Sequence, residues 1–328
     1  MSGEGQLGQR IAGRYELCEV LARGGMSLVY RAVDHRTQRE VAIKLLHEGL
    51  ADRADLNVRM VREYRAMRLL EGSAAVEVLE LAVGASGALC LVMELLRGVD
   101  FDDYLTSAQD EHGQLPVQDV LDLLDPVVAT LERGHEAGII HRDLKPGNLF
   151  VLSESADRSG TFNVSGSAGS PRSGWGARVR LLDFGFCRAG LRSITPDGTV
   201  LGSPSYIPPE VWRGHASQTS AACDIYSLGA IVFRLLGGRV PFDAERLTEK
   251  LALVCSSPRP SLWALRPELP PEVDEWVAQV LAVSPDARFR KVRGMWEALQ
   301  SVLGCAPRTP RRQGRAPLRD CSWGGEER

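Results

Sequence analysis

Three polar residues in one short stretch of the sequence are suited to phosphoryl transfer. They are Asp143, Lys145 and Asn148, and they lie within HRDLKPGN (141–148). The aspartate can accept a proton from an attacking hydroxyl, the lysine can neutralise a transferred phosphoryl group, and the asparagine supplies a hard oxygen for Mg²⁺. A second carboxylate, Asp183 of DFG (183–185), follows an apolar strand-like stretch, where it could face Asn148 as another Mg²⁺ ligand. Either motif alone also fits an ordinary loop, but together they predict a magnesium and phosphate site.

A lysine and a glutamate stand where apolar residues are expected. Lys44 ends VAIK (41–44), an otherwise apolar strand-like stretch, so its ammonium either extends to water or meets an anion. Glu63 lies in an apolar helical face, where a buried carboxylate is costly without a cation. The other members of that face are Leu56, Met60, Met67 and Leu70. We therefore predict a Lys44–Glu63 ion pair that aims the ammonium at nucleotide phosphates. The alternatives are a solvent-exposed Lys44 and a Glu63 at the helix edge beside Arg59 or Arg62.

A glycine-rich turn lies between the first two strand-like segments. Its glycines let backbone amide groups approach phosphate oxygens without an intervening side chain. By itself the string also fits a simple hairpin turn. If a nucleotide binds here, the contributing residues are Leu21, Ala22, Arg23, Gly24, Gly25, Met26, Ser27, Leu28 and Val29.

The elements that must position these residues divide into a sheet-rich and a helical part. Alternating patterns at 15–21, 28–33, 40–46, 76–83 and 88–95 predict a small antiparallel sheet of about five strands, with one long helix that carries Glu63. Beyond residue 98 the pattern becomes helical, and residues 224–236 are apolar on nearly every side, as in a helix buried within a bundle. The predicted fold class is α+β, with a flexible N-terminus (1–13), a first lobe (14–96) and a larger, mainly helical second lobe (97–304).

Two segments do not have the composition of folded structure. Of the 25 residues at 153–177, 12 are Ser or Gly, whereas a hairpin loop needs only about 2–5 residues. We interpret this segment as an insertion that loops away from the site. Residues 305–328 are rich in arginine and proline and predict a disordered basic tail.

The composition excludes several classes of protein. The chain has 328 residues and is 44% hydrophobic, so it can bury a sizeable core. Its 39 Lys and Arg against 42 Asp and Glu give a net charge of −3, which disfavours a general nucleic-acid binder. No apolar run reaches the roughly 18 residues of a membrane span, and the beginning lacks an export signal pattern. Seven scattered cysteines without a C-x-x-C pair predict reduced thiols rather than a zinc site. These features predict a soluble, cytoplasmic protein.

Together the motifs resemble those of the eukaryotic-like serine/threonine protein kinases, in their bacterial form. The resemblance covers roughly residues 14–304 and rests on the glycine-rich turn followed by VYRA (29–32), on VAIK, HRDLKPGN and DFG, and on PPE (208–210). It implies a bilobal protein-kinase-like fold that binds ATP and Mg²⁺ between its lobes. By this likeness Asp143 is the catalytic base, Lys44 the phosphate lysine, and Asp183 the principal metal ligand beside Asn148.

The same resemblance implies roles for residues outside these motifs. Residues Ala42, Met93, Glu94 and Leu96 join the nucleotide-binding set, with Met93 guarding the pocket and the backbone of 94–96 meeting adenine. Asp224 is expected to brace the loop at His141, and Glu210 to pair with Arg288. Residues 202–210 are expected to shape a ledge for peptide substrates, here called the peptide ledge. This segment argues against a small-molecule phosphotransferase.

The resemblance implies transfer of the γ-phosphoryl group of ATP to serine or threonine hydroxyls of proteins, including possible autophosphorylation. Thr195, Thr199 and Ser193 lie in the stretch 187–201, within the segment that the resemblance identifies as the activation loop, which ends at PPE (208–210). Arg142 directly precedes Asp143 and can bind a phosphate on this loop, so we expect control by phosphorylation at one of these three residues. Two residues depart from the family pattern, because Ala22 and Ser27 stand where the turn usually has glycine. A third departure is mild, since Ser203 replaces the usual threonine. The altered turn leaves one alternative, a pseudokinase that binds ATP and acts as a signalling scaffold.

Overall fold

The computed structural model describes residues 3–50, 53–84, 87–112, 114–153, 179–184, 204–214 and 220–305. In its N-terminal part six strands form one antiparallel sheet with the spatial order β1-β2-β3-β4-β6-β5. The strands are β1 (Arg10–Ile11), β2 (Tyr15–Arg23), β3 (Ser27–Asp34), β4 (Arg39–Leu46), β5 (Val78–Val83) and β6 (Leu89–Glu94). Buried and partly buried residues alternate along β3 with the period of two that is typical of a strand.

The sheet has one strand more than the sequence predicts. Strand β1 pairs antiparallel with the start of β2, in the register Arg10↔Glu16 and Ile11↔Tyr15. The expected five strands are therefore corrected to six, and part of the expected flexible N-terminus (1–13) belongs to the sheet. A strand of two residues is too short to produce a visible alternation of polar and apolar side chains.

One arginine bonds to two strands that are not neighbours in this sheet, β3 and the edge strand β5. Arg14 donates from Nε and Nη2 to both carboxylate oxygens of Asp34 on β3, at 2.7 and 2.6 Å. Its Nη1 also donates to Oε2 of Glu80 on β5, at 3.0 Å. Because β5 is the far edge strand, the sheet must be strongly coiled, and side chains of β2 and β5 share one core. The bidentate bond from Arg14 holds the pKa of Asp34 well below its ordinary value, although burial of the carboxylate opposes this.

One long helix, α1 (Ala54–Leu69), packs against this sheet. Its buried side includes Leu56, Met60, Glu63 and Met67, which are all at most 4% exposed. These residues are three or four positions apart and so lie on one face of the helix. The structure thus confirms the predicted helical face and its single buried carboxylate.

The C-terminal part is mainly helical. It contains α2 (Phe101–His112), α3 (Val117–Glu136), α4 (Pro209–Trp212), α5 (Ala221–Gly237), α6 (Leu247–Ser256), α7 (Val273–Val280) and α8 (Val292–Val302). Helix α5 is buried along most of its length, as its all-round apolar sequence predicts. A small antiparallel sheet, β7 (Gly98–Asp100), β8 (Leu149–Leu152) and β9 (Val179–Leu181), accompanies the helices. The bilobal α+β architecture is thereby confirmed.

The two lobes share a continuous core beside the predicted site. One cluster of buried side chains includes Met67 of α1, Met93 of β6, Leu144 and Phe184. No helix of the described ranges is both long and apolar enough to cross a membrane. The predicted insertion beyond Ser153 and the predicted tail beyond Cys305 lie outside the described residues.

Candidate active site

Lys44 lies between two carboxylates, of which Glu63 is buried and Asp183 is partly exposed. Strand β4 places it between Val29 of β3 and Leu91 of β6, and the residue is only 5% exposed. Its Nζ donates to Oε1 of Glu63 on α1 at 2.7 Å and to Oδ1 of Asp183 at 2.7 Å. The predicted ion pair is therefore present, and Asp183, 139 positions further along the chain, completes it. An ammonium bonded to two carboxylates is fixed in direction, as a phosphate ligand requires.

The two carboxylates of this cluster differ in proton affinity. Burial raises the pKa of Glu63 to about 7, and the nearby ammonium of Lys44 offsets only part of that effect. Burial also disfavours ionisation of Asp183, but there the attraction of Lys44 prevails and the pKa lies below its ordinary value. Asp183 is thus the carboxylate that stays ionised at neutral pH, the state a metal ligand needs.

Three of the predicted catalytic residues, Asp143, Lys145 and Asn148, lie close together in one short segment. Lys145 Nζ lies 3.0 Å from Oδ2 of Asp143. The side-chain amide of Asn148 donates from Nδ2 to the backbone oxygen of Asp143 at 2.6 Å and to its Oδ2 at 3.1 Å. Asp143 therefore has a fixed side-chain direction while remaining partly open to solvent, with 16% of its side chain exposed. A carboxylate held in this way is suited to accept a proton from a bound hydroxyl.

A buried aspartate on α5 accepts backbone hydrogen bonds from the start of this loop. Asp224 is 1% exposed and accepts the backbone N–H of His141 on Oδ2 and that of Arg142 on Oδ1, each at 2.8 Å. The Nε2 atom of His135 on α3 lies 2.8 Å from the same Oδ2. The brace that the resemblance implies is present, and His135 is a third partner that sequence reasoning missed. His135 lies six residues before HRD (141–143), and no local pattern in the sequence marks it as a partner.

Two residues of the site have backbone conformations that L-residues seldom adopt. Arg142 has φ +68° and Asp183 has φ +42°, and neither is glycine. Such conformations cost about 1–3 kcal/mol and persist only where surrounding contacts enforce them. Asp224 supplies those contacts for Arg142. Next to Asp183, His141 Nε2 lies 2.9 Å from the Leu182 oxygen, and its ring lies 4.9 Å from that of Phe184.

Asn148 and Asp183 fit a magnesium ion bound together with phosphate. Pairing of β8 with β9 brings them together, because the Leu182 N–H donates to the Asn148 carbonyl at 2.8 Å. Since Asn148 uses Nδ2 toward Asp143, its Oδ1 is the side-chain atom left for a cation. Among the described residues no three His, Cys, Asp or Glu side chains form a metal-binding group. One carboxylate and one amide oxygen match Mg²⁺, which takes its other ligands from water and substrate phosphates.

The glycine-rich turn closes as a tight hairpin beside the end of β4, where Ser27 pairs with Leu46. Gly24 N–H donates to the Ser27 oxygen at 2.8 Å, and a Cβ on Gly24 would lie 3.2 Å from that oxygen. His47, which sequence reasoning missed, contacts the turn twice. Its ring atom Nε2 lies 3.0 Å from the Gly24 oxygen, and its backbone N–H donates to the Met26 oxygen at 3.0 Å. The turn is thus held by the residue that directly follows β4, the strand that carries Lys44.

The other predicted nucleotide-binding residues do not all face the same way. Ala42 and Met93 are directly paired across β4 and β6 and line the shared core beside Lys44, with Val29 packed against it. Leu28 instead points into the core of the coiled sheet, so its side chain does not face Lys44. Leu21, Ala22 and Arg23 are exposed, Gly25 and Met26 lie in the turn, and Ser27 begins β3.

The segment predicted to meet adenine is tied to both lobes. Glu94 ends β6, and Leu96 follows without sheet pairing. The Oε1 atom of Glu94 accepts the Glu77 N–H at 2.9 Å and Nε of Arg180 at 3.2 Å. Arg180 belongs to β9, two residues before Leu182, so this carboxylate links the connection between the lobes to the strand that leads to Asp183.

The described part of the peptide ledge is fixed by a buried ion pair. Arg288 donates from Nη1 and Nη2 to the two carboxylate oxygens of Glu210, at 2.8 and 2.7 Å, and both side chains are at most 3% exposed. Burial opposes ionisation of Glu210, but Arg288 prevails and lowers its pKa. The thiol of Cys223, 3.2 Å away, donates to the same carboxylate. Residues Gly185, Ser193, Thr195, Thr199 and Ser203 lie outside the described residues.

Comparisons with known proteins agree with this geometry. The model of the protein kinase domain family matches residues 15–301. Serine/threonine-protein kinase PknA of Mycobacterium tuberculosis is 30% identical over 318 residues, which are 95% of this chain and 66% of PknA. Serine/threonine-protein kinase PrkC of Bacillus subtilis is 30% identical over 290 residues, which are 88% of this chain and 40% of PrkC. The chain thus spans less than two thirds of either relative.

A solved structure matches the fold. The crystal structure of the PknI kinase domain of M. tuberculosis superimposes with a TM-score of 0.65 at 24% identity, covering 90% of this chain and 98% of that one. At this identity the likeness concerns the fold alone. With the family match over residues 15–301 and the cluster around Lys44, it leads to one conclusion. This chain belongs to the protein kinase domain family and is related to bacterial serine/threonine-protein kinases.

Proposed function

We propose that this protein is an ATP-dependent serine/threonine protein kinase. The observation that carries the proposal is the position of Lys44 Nζ, 2.7 Å from both Glu63 and Asp183. This is the arrangement in which a lysine is ready to hold nucleotide phosphates while the aspartate holds a metal ion. The relatives are named as serine/threonine-protein kinases, which supports the same reaction.

Each side chain has a separate task in the proposed reaction. Asp143 accepts the proton of the substrate hydroxyl, and Lys145, 3.0 Å away, stabilises the developing negative charge. Lys44 orients the phosphates under the glycine-rich turn. Asn148 and Asp183 would hold Mg²⁺, which neutralises phosphate charge when bound. Positioning and electrostatics therefore supply most of the proposed catalysis.

Control by phosphorylation of the activation loop is part of the proposal. Arg142 is held at its backbone by Asp224, while its side chain is exposed and makes no ion pair within the described ranges. An exposed guanidinium next to the base can bind a phosphate and order the loop that carries it. Thr195, Thr199 and Ser193 are the proposed acceptors, by autophosphorylation or by another kinase. Because the reaction consumes ATP and the cysteine pattern fits reduced thiols, we propose that the protein acts in the cytoplasm.

The test is transfer of labelled phosphate from [γ-³²P]ATP to a generic protein substrate, with Mg²⁺ present. Wild type should transfer phosphate, and Asp143→Asn and Lys44→Met should each lower the rate by at least about 10²-fold. Tryptic mapping of labelled wild type should find phosphate between residues 185 and 203. Nucleotide binding without transfer would instead favour the scaffold alternative. Equal rates for wild type and Asp143→Asn would remove the proposed base.

A further inference from the structure

The peptide ledge is held by two cations that come from different helices. Lys250 of α6 donates from Nζ to Oγ of Ser205 at 3.1 Å, and it also lies 3.2 Å from Oδ1 of Asp243. Arg234 of α5 donates from Nη1 to the hydroxyl of Tyr206 at 2.8 Å. Ser205 and Tyr206 are neighbours in the ledge, and both are buried. Besides the Arg288–Glu210 ion pair, the ledge is therefore held by two basic side chains that each have a hydroxyl as partner.

Arg234 also connects the ledge to the helix beside the catalytic loop. The same Nη1 donates to Oδ1 of Asp102 in the first turn of α2. Helix α2 packs against the 3₁₀ turn Pro146–Asn148, which directly follows the loop of Asp143 and Lys145. Arg234 thus bonds to the peptide ledge on one side and, on the other, to the helix that packs beside the loop of Asp143.

Most of the hydrogen-bonding capacity of Arg234 is unused. A guanidinium has five N–H donors, and both described bonds of Arg234 use Nη1. Its Nε and Nη2 make no hydrogen bond to any residue in the described part of the chain, and 23% of the side chain is exposed. Nε and Nη2 together form one edge of the planar fork, and such an edge binds a carboxylate or phosphate through two parallel hydrogen bonds.

Lys250 lacks this free edge. Its side chain is 11% exposed, against 74% for its partner Asp243, so the carboxylate faces solvent and the ammonium faces the ledge. A lysine also offers a single point of charge rather than a planar fork. Lys250 is therefore a matched control, a cation that holds the same ledge but has no planar edge of paired donors to offer a carboxylate or phosphate.

We propose that Arg234 selects peptide substrates that carry an anionic side chain, a carboxylate or a phosphate, close to the phosphate-accepting residue. The peptide anion binds the Nε–Nη2 edge while Asp102 keeps Nη1, so the two anions share one guanidinium. Repulsion between them weakens the preference, and removing the charge of Asp102 strengthens it. This inference rests on the proposed kinase function and specifies the substrate class of that site.

The experiment measures kcat/KM for synthetic peptides with a central serine and one flanking position varied among Asp, phosphoserine, Asn and Lys. Wild type should prefer an anion over Asn at one flanking position by about tenfold, which corresponds to roughly 1.4 kcal/mol. Comparison of the Asp and phosphoserine peptides decides whether carboxylate or phosphate is the better ligand. Arg234→Glu should reverse the preference toward Lys, with the KM for ATP unchanged, because the nucleotide residues lie elsewhere.

Two further variants separate recognition from folding. Asp102→Asn should increase the preference for anions by a few-fold, whereas Lys250→Gln should leave the ratio between anionic and neutral peptides unchanged even if it lowers both rates. If Arg234→Glu does not fold, the wild-type ratio and its change in Asp102→Asn decide the question. A wild type without anion preference, or with a preference for Lys, overturns the inference and leaves the kinase function intact. Failure of wild type to phosphorylate any peptide or protein refutes the kinase function itself.

Discussion

Replacing Asp224 by asparagine should separate the stability of the second lobe from the alignment of its catalytic loop. The carboxylate accepts three N–H groups, from His141, Arg142 and His135, each at 2.8 Å. An asparagine offers one acceptor oxygen and one amide nitrogen, so at least one donor loses its acceptor and faces another donor. Hydrogen bonds to a buried charged group contribute about 1.5–3 kcal/mol each. We therefore expect a loss of about 2–4 kcal/mol in the free energy of unfolding, which most domains survive.

The effect on catalysis should exceed the effect on the folded fraction. Arg142 is held at φ +68° against about 1–3 kcal/mol of backbone strain, and Asp224 supplies the bond that holds it. With that bond lost, the loop relaxes and Asp143 leaves its position. A displacement worth about 1.4–2.7 kcal/mol lowers kcat by roughly 10- to 100-fold.

The assay compares urea unfolding with phosphoryl transfer per folded molecule. Asp274→Asn is the matched control, because its carboxylate accepts the backbone N–H groups of Leu262 and Trp263, at 2.7 and 3.0 Å, in a loop with no part in the proposed site. Both N–H groups bond the same oxygen, which an asparagine retains, so the control should lose only the charge-assisted part of these bonds and should keep kcat. The reasoning is refuted if Asp224→Asn keeps the wild-type kcat, or if both variants lose kcat equally.

Three further predictions follow from individual contacts. Burial raises the pKa of Glu63 to about 7, and Lys44 pairs with the ionised form, so kcat/KM for ATP should rise with pH through about 7. Glu63→Gln should abolish that rise. An unchanged pH profile in the variant would contradict the assignment. Gly98→Ala should destabilise the protein by more than about 2 kcal/mol in urea unfolding, because the backbone has φ +153° and a Cβ would lie 2.0 Å from the Val151 oxygen. Its control, Gly294→Ala in α8, meets nothing within 4 Å and should instead stabilise by about 0.5–1 kcal/mol. Finally, His47→Ala should raise the KM for ATP a few-fold with little change in kcat, since the ring supports the Gly24 oxygen from 3.0 Å; an unchanged KM would exclude a role for His47 in the turn.

Sequence reasoning predicted those parts of the fold that repeat regularly along the chain. Helix α1 is an example, because its buried residues recur every three or four positions and make the single carboxylate at Glu63 conspicuous. The partner of that carboxylate was predictable for the same reason, since Lys44 also interrupts an apolar pattern. Strand β1 was not predictable, because two residues give no period.

Contacts between distant segments left weaker signals in the sequence. Arg234 and Asp102 are 132 positions apart, and each reads as an ordinary surface charge of a helix. Leu28 was assigned to nucleotide binding with its neighbours, whereas the pleat of β3 turns alternate side chains in opposite directions and sends Leu28 into the core. His47 lies just beyond VAIK, and its contact with Gly24 depends on how the hairpin folds back, which no local pattern encodes.

The bond network of Arg14 bears on how this kinase domain can be excised. The family match begins at Tyr15, one residue after the guanidinium that ties Asp34 to Glu80. A fragment trimmed to that boundary would leave the buried carboxylate of Asp34 with hydrogen bonds from Arg36 and Thr37 but without its ion-pair partner. It would also remove the link to the edge strand Val78–Val83, whose Leu79 and Val83 are already 44% and 54% exposed. An exposed apolar edge strand can pair with the same strand of another molecule and so cause aggregation. Shortened versions starting at residue 15 should therefore precipitate during purification, whereas versions that retain the preceding dozen residues stay monodisperse.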